Sequence, residues 1–358
     1  MRKIGFPGFG LEFNIDPTAI KDCFGIEGFN IQWYGIILSL GILFAFLLFY
    51  GNAVKKEKID GDTVYNVTLL VVPLAIIGAR FVYVATKWDV YKERSFADII
   101  NIREGGIAIY GAIIFGLATV LIYNKIKKTS SLSMLDALAP AVMLGQIIGR
   151  WGNFVNAEAY GWSEGVENLP WRMWLEKVRI DGVLTDYHLV HPTFLYESLW
   201  NLLGLALIML VVYRKKKFDG QIFCSYMAWY GLGRAIIETL RTDSLYLVGN
   251  LKFSVFVGIV AFVGGVILAF VLSKKAKTEK EELEEYTPAY ASVKIDVAED
   301  DGLNPLAIDN NEVTEGNEVI EGDDESDENE SLDELDEDEE VLAEQDLLDG
   351  DITDLTKE

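Results

Sequence analysis

The chain has little from which to build a covalent or metal-centred site. Of its 358 residues only two are cysteine, Cys23 and Cys224, and only two are histidine, His188 and His191. Two isolated cysteines supply neither a disulfide framework nor metal-ligand spacing, and Cys224 reads as a small buried apolar side chain. The histidines stand together ahead of an apolar stretch with no ligand or nucleophile motif beside them, so neither a zinc site nor a Ser–His pair is legible. No metal, no cofactor and no nucleic-acid partner is expected. No signal peptide is expected: Met1–Lys3 is followed by Gly5, Pro7, Glu12 and Asp16 before any long apolar run, so the first span is expected to serve as its own signal.

Acidic residues are scarce until residue 278 and then dominate. Residues 278–358 hold 33 acidic side chains and 3 lysines, a net of −30, which leaves 28 basic and 22 acidic residues in 1–277, a net of +6. The chain therefore divides into a front part, 1–277, and a tail, 278–358, whose contiguous apolar surface is too small to offset chain entropy. The tail is expected to be disordered, either as a solvated appendage or as a partner-binding arm.

The front part reads as an all-α integral membrane protein. Residues 28–54, 105–124 and 253–272 are apolar over about the 20 residues needed to span hydrocarbon. Four further stretches, 63–86, 132–149, 192–213 and 221–240, are equally apolar but carry Arg80, Asp136, Glu197 and the pair Arg234/Glu238, charges whose insertion cost needs a reason. Lysine and arginine concentrate in every second connection: Lys55/Lys56/Lys58, Lys125/Lys127/Lys128, Arg214/Lys215/Lys216/Lys217 and Lys274/Lys275/Lys277. Because cytoplasmic loops retain positive charge, seven transmembrane helices are expected, with the N-terminus outside and the acidic tail inside. In the outer N-terminal segment Phe9, Leu11, Phe13 and Ile15 alternate with Gly10, Glu12 and Asn14, which suits a short strand. The outer loop 162–192 carries Trp162, Trp171 and Trp174, suited to the interfacial belt.

The polar residues of the spans fit one chemistry. At about 100° per residue, Tyr230, Arg234, Glu238 and Arg241 fall at about 0°, 40°, 80° and 20°, one stripe of the sixth span. Arg234 and Glu238 at (i, i+4) are spaced to neutralise each other, but Arg241 leaves a second guanidinium, to be balanced by Glu158, Asp243 or an anionic ligand. Arg150 ends the fourth span near the same outer face. The three arginines are expected to converge a third to a half of the way in from the outer leaflet. Arginine donates in a planar fork to phosphate oxygens and stays charged when desolvated, and in a bilayer the available phosphate is a phospholipid headgroup. Arg80 is a fourth member or a snorkelling residue. Asn153 and Asn156 orient a ligand hydroxyl, lock the arginines, or satisfy backbone where the helix unravels at Gly152 and Gly161.

Residues 149–161 (GRWGNFVNAEAYG) resemble the signature of the prolipoprotein diacylglyceryl transferases, through Gly149, Arg150, Gly152, Asn153, Phe154, Asn156, Glu158 and Gly161. Separate pieces agree: Gln32-Trp33-Tyr34-Gly35, Gly78-Ala79-Arg80, His191-Pro192-Thr193 with Tyr196-Glu197, and the Tyr230/Arg234/Glu238/Arg241 stripe. The resemblance covers 1–277 and stops at the tail. It implies transfer of the diacylglyceryl group of phosphatidylglycerol to the lipobox cysteine of a prolipoprotein signal peptide, releasing glycerol phosphate, by a monomer in the bacterial cell membrane. It further implies that Arg150 holds the lipid phosphate, that Arg234 stabilises the departing phosphate, and that Glu158, Asn153 and Tyr34 shape the site. Asn156, Gly161, Tyr230, Glu238, Arg241, Arg80 and His191 are the remaining substrate-binding candidates. Many relatives place a histidine, often proposed as the general base, in the segment that here runs 105–111, where this chain has Tyr110. A phenol with an unperturbed pKa near ~10 is a poor base at neutral pH. Tyr110 is therefore expected to hydrogen-bond a substrate oxygen while the arginines favour the thiolate, with His191 as a rival base.

Two other classes compete. An anion transporter or channel needs access from both sides and is disfavoured by charges gathered toward one face without an internal repeat. A seven-helix receptor without chemistry would leave phospholipid unreacted.

Overall fold

The computed structural model describes residues 2–102, 105–180, 183–242, 246–248 and 251–285. Among them the helices are α1 Trp33–Lys55, α2 Gly61–Thr86, α3 Trp88–Tyr91, α4 Phe96–Ile100, α5 Ile109–Lys127, α6 Ser131–Asn156, α7 Thr193–Leu207, α8 Gln221–Ile237 and α9 Phe253–Glu285. Six are long and apolar enough to cross a membrane: α1, α2, α5, α6, α7 with its continuation to Lys215, and α9. Where seven spans were expected, α8 is the short one, 17 residues followed by a 3-10 turn at Glu238–Leu240. The acidic tail lies outside the described residues beyond Glu285, as does Asp243.

Helix ends follow local chemistry. Asp60 opens α2 by accepting from the Thr63 N–H at 3.0 Å, and Ser130 opens α6 by accepting from the Ser133 N–H at 3.2 Å, each satisfying a donor the helix cannot. The helix expected over 132–149 continues to Asn156, so Arg150, Gly152 and Asn153 are helical and the expected unravelling at Gly152 does not occur. Apolar length marks where hydrocarbon ends, whereas the helix ends only when Ala157 turns left-handed (φ 48°) and its N–H closes on the Asn153 and Phe154 carbonyls.

The helices are apolar on their outer faces. On α1, Leu38, Leu40, Ile42, Leu43, Phe44 and Leu47 are exposed while Gly41, Asn52 and Ala53 are buried, the arrangement expected of a surface that faces lipid. Close approach is secured by small residues. A side chain at Gly231 of α8 would strike the backbone of Gly258 and Phe262 on α9, and one at Gly111 of α5 would strike Gly78 on α2.

Strands gather at the end of the bundle that carries the N-terminus. The alternation over 9–15 becomes β2 (Leu11–Ile15), antiparallel to β1 (Arg2–Phe6), with short β3 (Thr18–Ile20) and β4 (Ile31–Gln32) paired beside them. β1 also pairs with β5 (Met173–Ile180), which forms a hairpin with β6 (Val183–Val190). The order β2-β1-β5-β6 thus ties the N-terminus to the loop between α6 and α7. Trp174 lies across from Gly5 and the Trp171 indole donates to the Tyr196 hydroxyl at 2.9 Å, so two of the loop's tryptophans have packing roles. A last pair, β7 (Tyr246–Val248) and β8 (Leu251–Lys252), precedes α9.

At the opposite end the charge on Asp136 finds its reason. Fully buried on α6, it accepts from the Gly220 and Phe223 N–H groups, both at 2.8 Å, and so caps α8 from a neighbouring helix. Lys216 sits among Asp136, Glu57 and Asp219 at 2.8, 2.5 and 3.2 Å, supplying the positive charge these carboxylates need. Fourteen residues separate Asp136 from Arg150 and Gly220 from Arg234. Since α6 and α8 run in the same direction, this lock brings the two arginines to the same level.

Candidate active site

Glu197 is the centre of the arginine cluster. It projects from α7, four residues after its first residue Thr193, and is 4% exposed. Arg150 Nη2 from α6 approaches its Oε2 at 2.5 Å, Arg234 Nη1 from α8 lies 3.1 Å from the same oxygen, and Arg241 Nη1, just past the 3-10 turn, lies 3.3 Å from Oε1. Glu238 completes the group, 2.8 Å from Arg234 Nη2 and 3.7 Å from Arg241 Nε. Among the described residues, three guanidiniums thus meet two carboxylates. The expected convergence is therefore present, as is the Arg234–Glu238 pair along the helix.

Among the described residues the carboxylate that meets all three arginines is Glu197, while Glu158 accepts from the Asn153 and Asn156 amides at 3.0 and 3.3 Å and Asp243 lies outside the described residues. The left-handed turn at Ala157 makes this geometry, returning the chain so that Glu158 faces the last turn of α6. Asn153 also accepts from Arg150 Nη1 at 3.4 Å, so this one asparagine links the exposed carboxylate to the half-buried arginine. Glu197 had a legible signal: an acid within an apolar span costs too much to stand without a partner. The partner was hidden because it lies on other helices.

Tyrosines line the remaining sides. The Tyr34 ring lies where a side chain at Gly152 would be, within electrostatic reach of Glu158 and Arg150. Tyr230 lies within reach of Arg234, Arg150, Glu197 and Tyr110, and its ring stacks on Tyr226 with centroids 5.7 Å apart. Tyr110 opens α5 against the start of α9, its hydroxyl 3.2 Å from Ser254 Oγ and its ring edge-on to Phe253.

Gly161 is a suture. Its N–H donates to the His191 carbonyl at 3.0 Å and it bridges Arg241, with the His191 Cβ and the Leu240 carbonyl where a side chain would go. Rather than an unravelled helix end, it is the close contact that holds Arg241 against the start of α7. Lys252, which no sequence pattern singled out, secures the same place. Its ammonium donates to the Glu238, Thr239 and Arg241 carbonyls at 2.9, 3.2 and 2.6 Å, satisfying acceptors the helix end leaves open.

Two candidates stand apart. Arg80 makes no ion pair or hydrogen bond with the cluster among the described residues. Its guanidinium donates to the Asp98, Ile99, Gly105 and Gly106 carbonyls at 2.7 to 3.1 Å, organising the connection from α4 into α5. His191 Nδ1 is 3.1 Å from the Tyr196 hydroxyl. Burial lowers the His191 pKa below the usual imidazole range, against the opposing effect of a backbone hydrogen bond at Glu164. No ion pair or hydrogen bond among the described residues joins its ring to the arginines.

The arrangement is suited to holding an anion at the cluster while excluding water, since the side chains of Arg150, Arg234 and Arg241 are only 20%, 16% and 10% exposed. Comparison with known proteins gives this chemistry its context. Residues 21–271 match the family described as Prolipoprotein diacylglyceryl transferase. The chain is 45% identical to the phosphatidylglycerol--prolipoprotein diacylglyceryl transferase of Finegoldia magna over 70% of its own length and 95% of the relative's. It is 44% identical to the enzyme so named from Lysinibacillus sphaericus, over 75% and 96%, and 39% identical to that of Clostridioides difficile, over 71% and 96%.

Proposed function

Because the chain belongs to the prolipoprotein diacylglyceryl transferase family, and so moves the diacylglyceryl group of phosphatidylglycerol onto prolipoprotein in the bacterial cell membrane, we propose that the Arg150–Arg234–Arg241 cluster is where the phosphate is held. The convergence of three guanidiniums on one buried place carries the reading. A phosphodiester offers anionic oxygens that such planar forks grip.

The reaction forms a sulfur–carbon bond at the glyceryl carbon and breaks the carbon–oxygen bond to phosphate, whose oxygen takes the electron pair. Two groups then gain from the arginines: the thiolate, which must form from a thiol of pKa near ~8.5, and the phosphate oxygen that takes up charge as it leaves. Arg150 binds the phosphate in the bound lipid. Arg234, held on both sides by Glu197 and Glu238, stabilises the leaving oxygen. Glu158, Asn153, Asn156 and Tyr34 form the rim, and Tyr110 hydrogen-bonds a substrate oxygen. Gly161 acts by holding Arg241, and His191 anchors the loop.

The chain spans the membrane seven times in this reading, α8 with its 3-10 turn making the seventh. The N-terminus and the strand-bearing end face outward and the lysine-rich ends of α1, α5 and α9 face the cytoplasm, with the acidic residues beyond 285 on the inner side. The enzyme acts as a monomer on the lipobox cysteine of a signal peptide. Transferring two acyl chains at once suits the purpose, since one chain gives only marginal membrane retention. The test is a vesicle assay with phosphatidylglycerol and a cysteine-bearing lipobox peptide, read by mass. The parent should add a diacylglyceryl unit and Arg150→Gln should be slower by about 100-fold or more, the scale of losing one preorganised charge donor; equal rates would reject the assignment.

A further inference from the structure

One turn beneath the arginines, three uncharged polar side chains meet with one acceptor and one donor unspent. Gln146 lies four residues before Arg150 on α6, Asn201 four after Glu197 on α7, and Tyr226 four before Tyr230 on α8, so the three form the next layer inward. The Gln146 amide joins them: its Nε2 donates to the Tyr226 hydroxyl at 3.0 Å and its Oε1 accepts from Asn201 Nδ2 at 3.4 Å. Asn201 is 3% exposed and its Oδ1 has no partner, a rare state for a buried amide oxygen. The Tyr226 hydroxyl accepts from Gln146, and its own hydrogen meets no acceptor among the described residues.

A free acceptor and a free donor bound to the same amide are the complement of an alcohol, which both donates and accepts. Of the two arms on the phosphate of phosphatidylglycerol, the headgroup glycerol bears free hydroxyls and departs with the phosphate. One helical turn, about 5.4 Å, suits the reach from the phosphorus to the far hydroxyl of that glycerol. We propose that Gln146, Asn201 and Tyr226 bind the headgroup hydroxyls and so select phosphatidylglycerol from other anionic phospholipids. This rests on the arginine cluster being the phosphate site.

The test compares two lipids of equal charge in phosphatidylcholine vesicles holding the full-length enzyme and a lipobox peptide: phosphatidylglycerol, and phosphatidylpropanol, whose headgroup has no hydroxyl. The parent should favour phosphatidylglycerol by about tenfold or more in kcat/KM, since a site built for a hydroxyl rejects the analogue lacking it. Tyr226→Phe and Asn201→Leu should each bring that ratio toward one. The ratio is internal to each variant, so partial misfolding does not imitate the effect. A parent that uses both lipids equally, or variants that slow both by the same factor, would overturn the proposal, the layer then holding water or only packing the helices. Arg150→Gln separates the two claims. Undiminished transfer from both lipids would reject the phosphate site and this layer with it, whereas an unchanged lipid ratio in Tyr226→Phe rejects the layer alone.

Discussion

Replacing Glu197 with Gln should remove one negative charge from among the arginines without changing the side chain's shape. The carboxylate lies 2.5, 3.1 and 3.3 Å from Arg150, Arg234 and Arg241 and is 4% exposed. At an effective dielectric of about 20, a pair of unit charges about 4 Å apart is worth about 4 kcal/mol. The sum of three such contacts overstates the loss, because the neutral amide no longer bears the carboxylate's desolvation. Breaking a buried pair by removing one partner costs about 3–5 kcal/mol in practice, and that figure governs here. Thermal unfolding in lipid nanodiscs reads the effect. In phosphatidylcholine the Glu197→Gln protein should unfold at a clearly lower temperature than the parent. Adding phosphatidylglycerol should recover part of the difference and stabilise the variant more than the parent, since the lipid phosphate supplies the charge removed. A variant as stable as the parent in phosphatidylcholine, or one less stabilised by phosphatidylglycerol, would refute the charge balance drawn for the cluster.

Three further outcomes are expected. Tyr110→Phe should keep substantial transfer activity with the pH profile little changed, because the phenol serves as a hydrogen-bond partner; loss of activity at every pH would instead mark it as the proton carrier. Arg80→Gln should leave four backbone carbonyls short of a donor, lowering the unfolding temperature while KM for phosphatidylglycerol stays near the parent value; a tenfold rise in KM with unchanged stability would place Arg80 in the lipid site. Lys216 is pushed up to about 12 from 10.5, the Asp136 and Glu57 carboxylates outweighing a burial effect that acts the other way. The folded state therefore holds this proton more tightly than the unfolded chain, and the stabilisation, about 2 kcal/mol from the shift, is complete below pH 10.5 and fades as pH rises toward about 12. Unfolding temperatures across that range should fall for the parent more steeply than for Asp136→Asn, and parallel curves would contradict the lock.

Features that depend on one segment were legible in the sequence, and features that depend on several were not. Apolar length located the membrane helices, and the four-residue spacing of Arg234 and Glu238 found their pair, whereas Arg241, placed on the same helical stripe, is extended backbone beyond the 3-10 turn. Alternation over 9–15 found β2. Glu197 was visible as an acid in an apolar span, but its three partners sit on α6, α8 and the turn after α8, and a stripe on one helix says nothing of what faces it. The partners of Arg80 were hidden for the same reason: the carbonyls that claim it come from a connection without periodic pattern. The strand β5, Met173–Ile180, mixes Trp174, Glu176, Lys177 and Arg179 without clean alternation, because its partner β1 is more than 150 residues away. Gln146, Asn201 and Tyr226 each pass as an ordinary polar residue in its own helix and become a layer only when three helices are placed together.

The central claim, that buried guanidiniums hold the phosphate of the donor lipid, is tested most directly by solid-state NMR in bilayers of phosphatidylglycerol, measuring dipolar coupling between arginine 15N and lipid 31P. Strong coupling to guanidinium nitrogens, diminished in both Arg150→Gln and Arg234→Gln and retained in Arg80→Gln, is the expected result. Coupling that is absent in the parent, or that survives both cluster substitutions unchanged, would contradict the account.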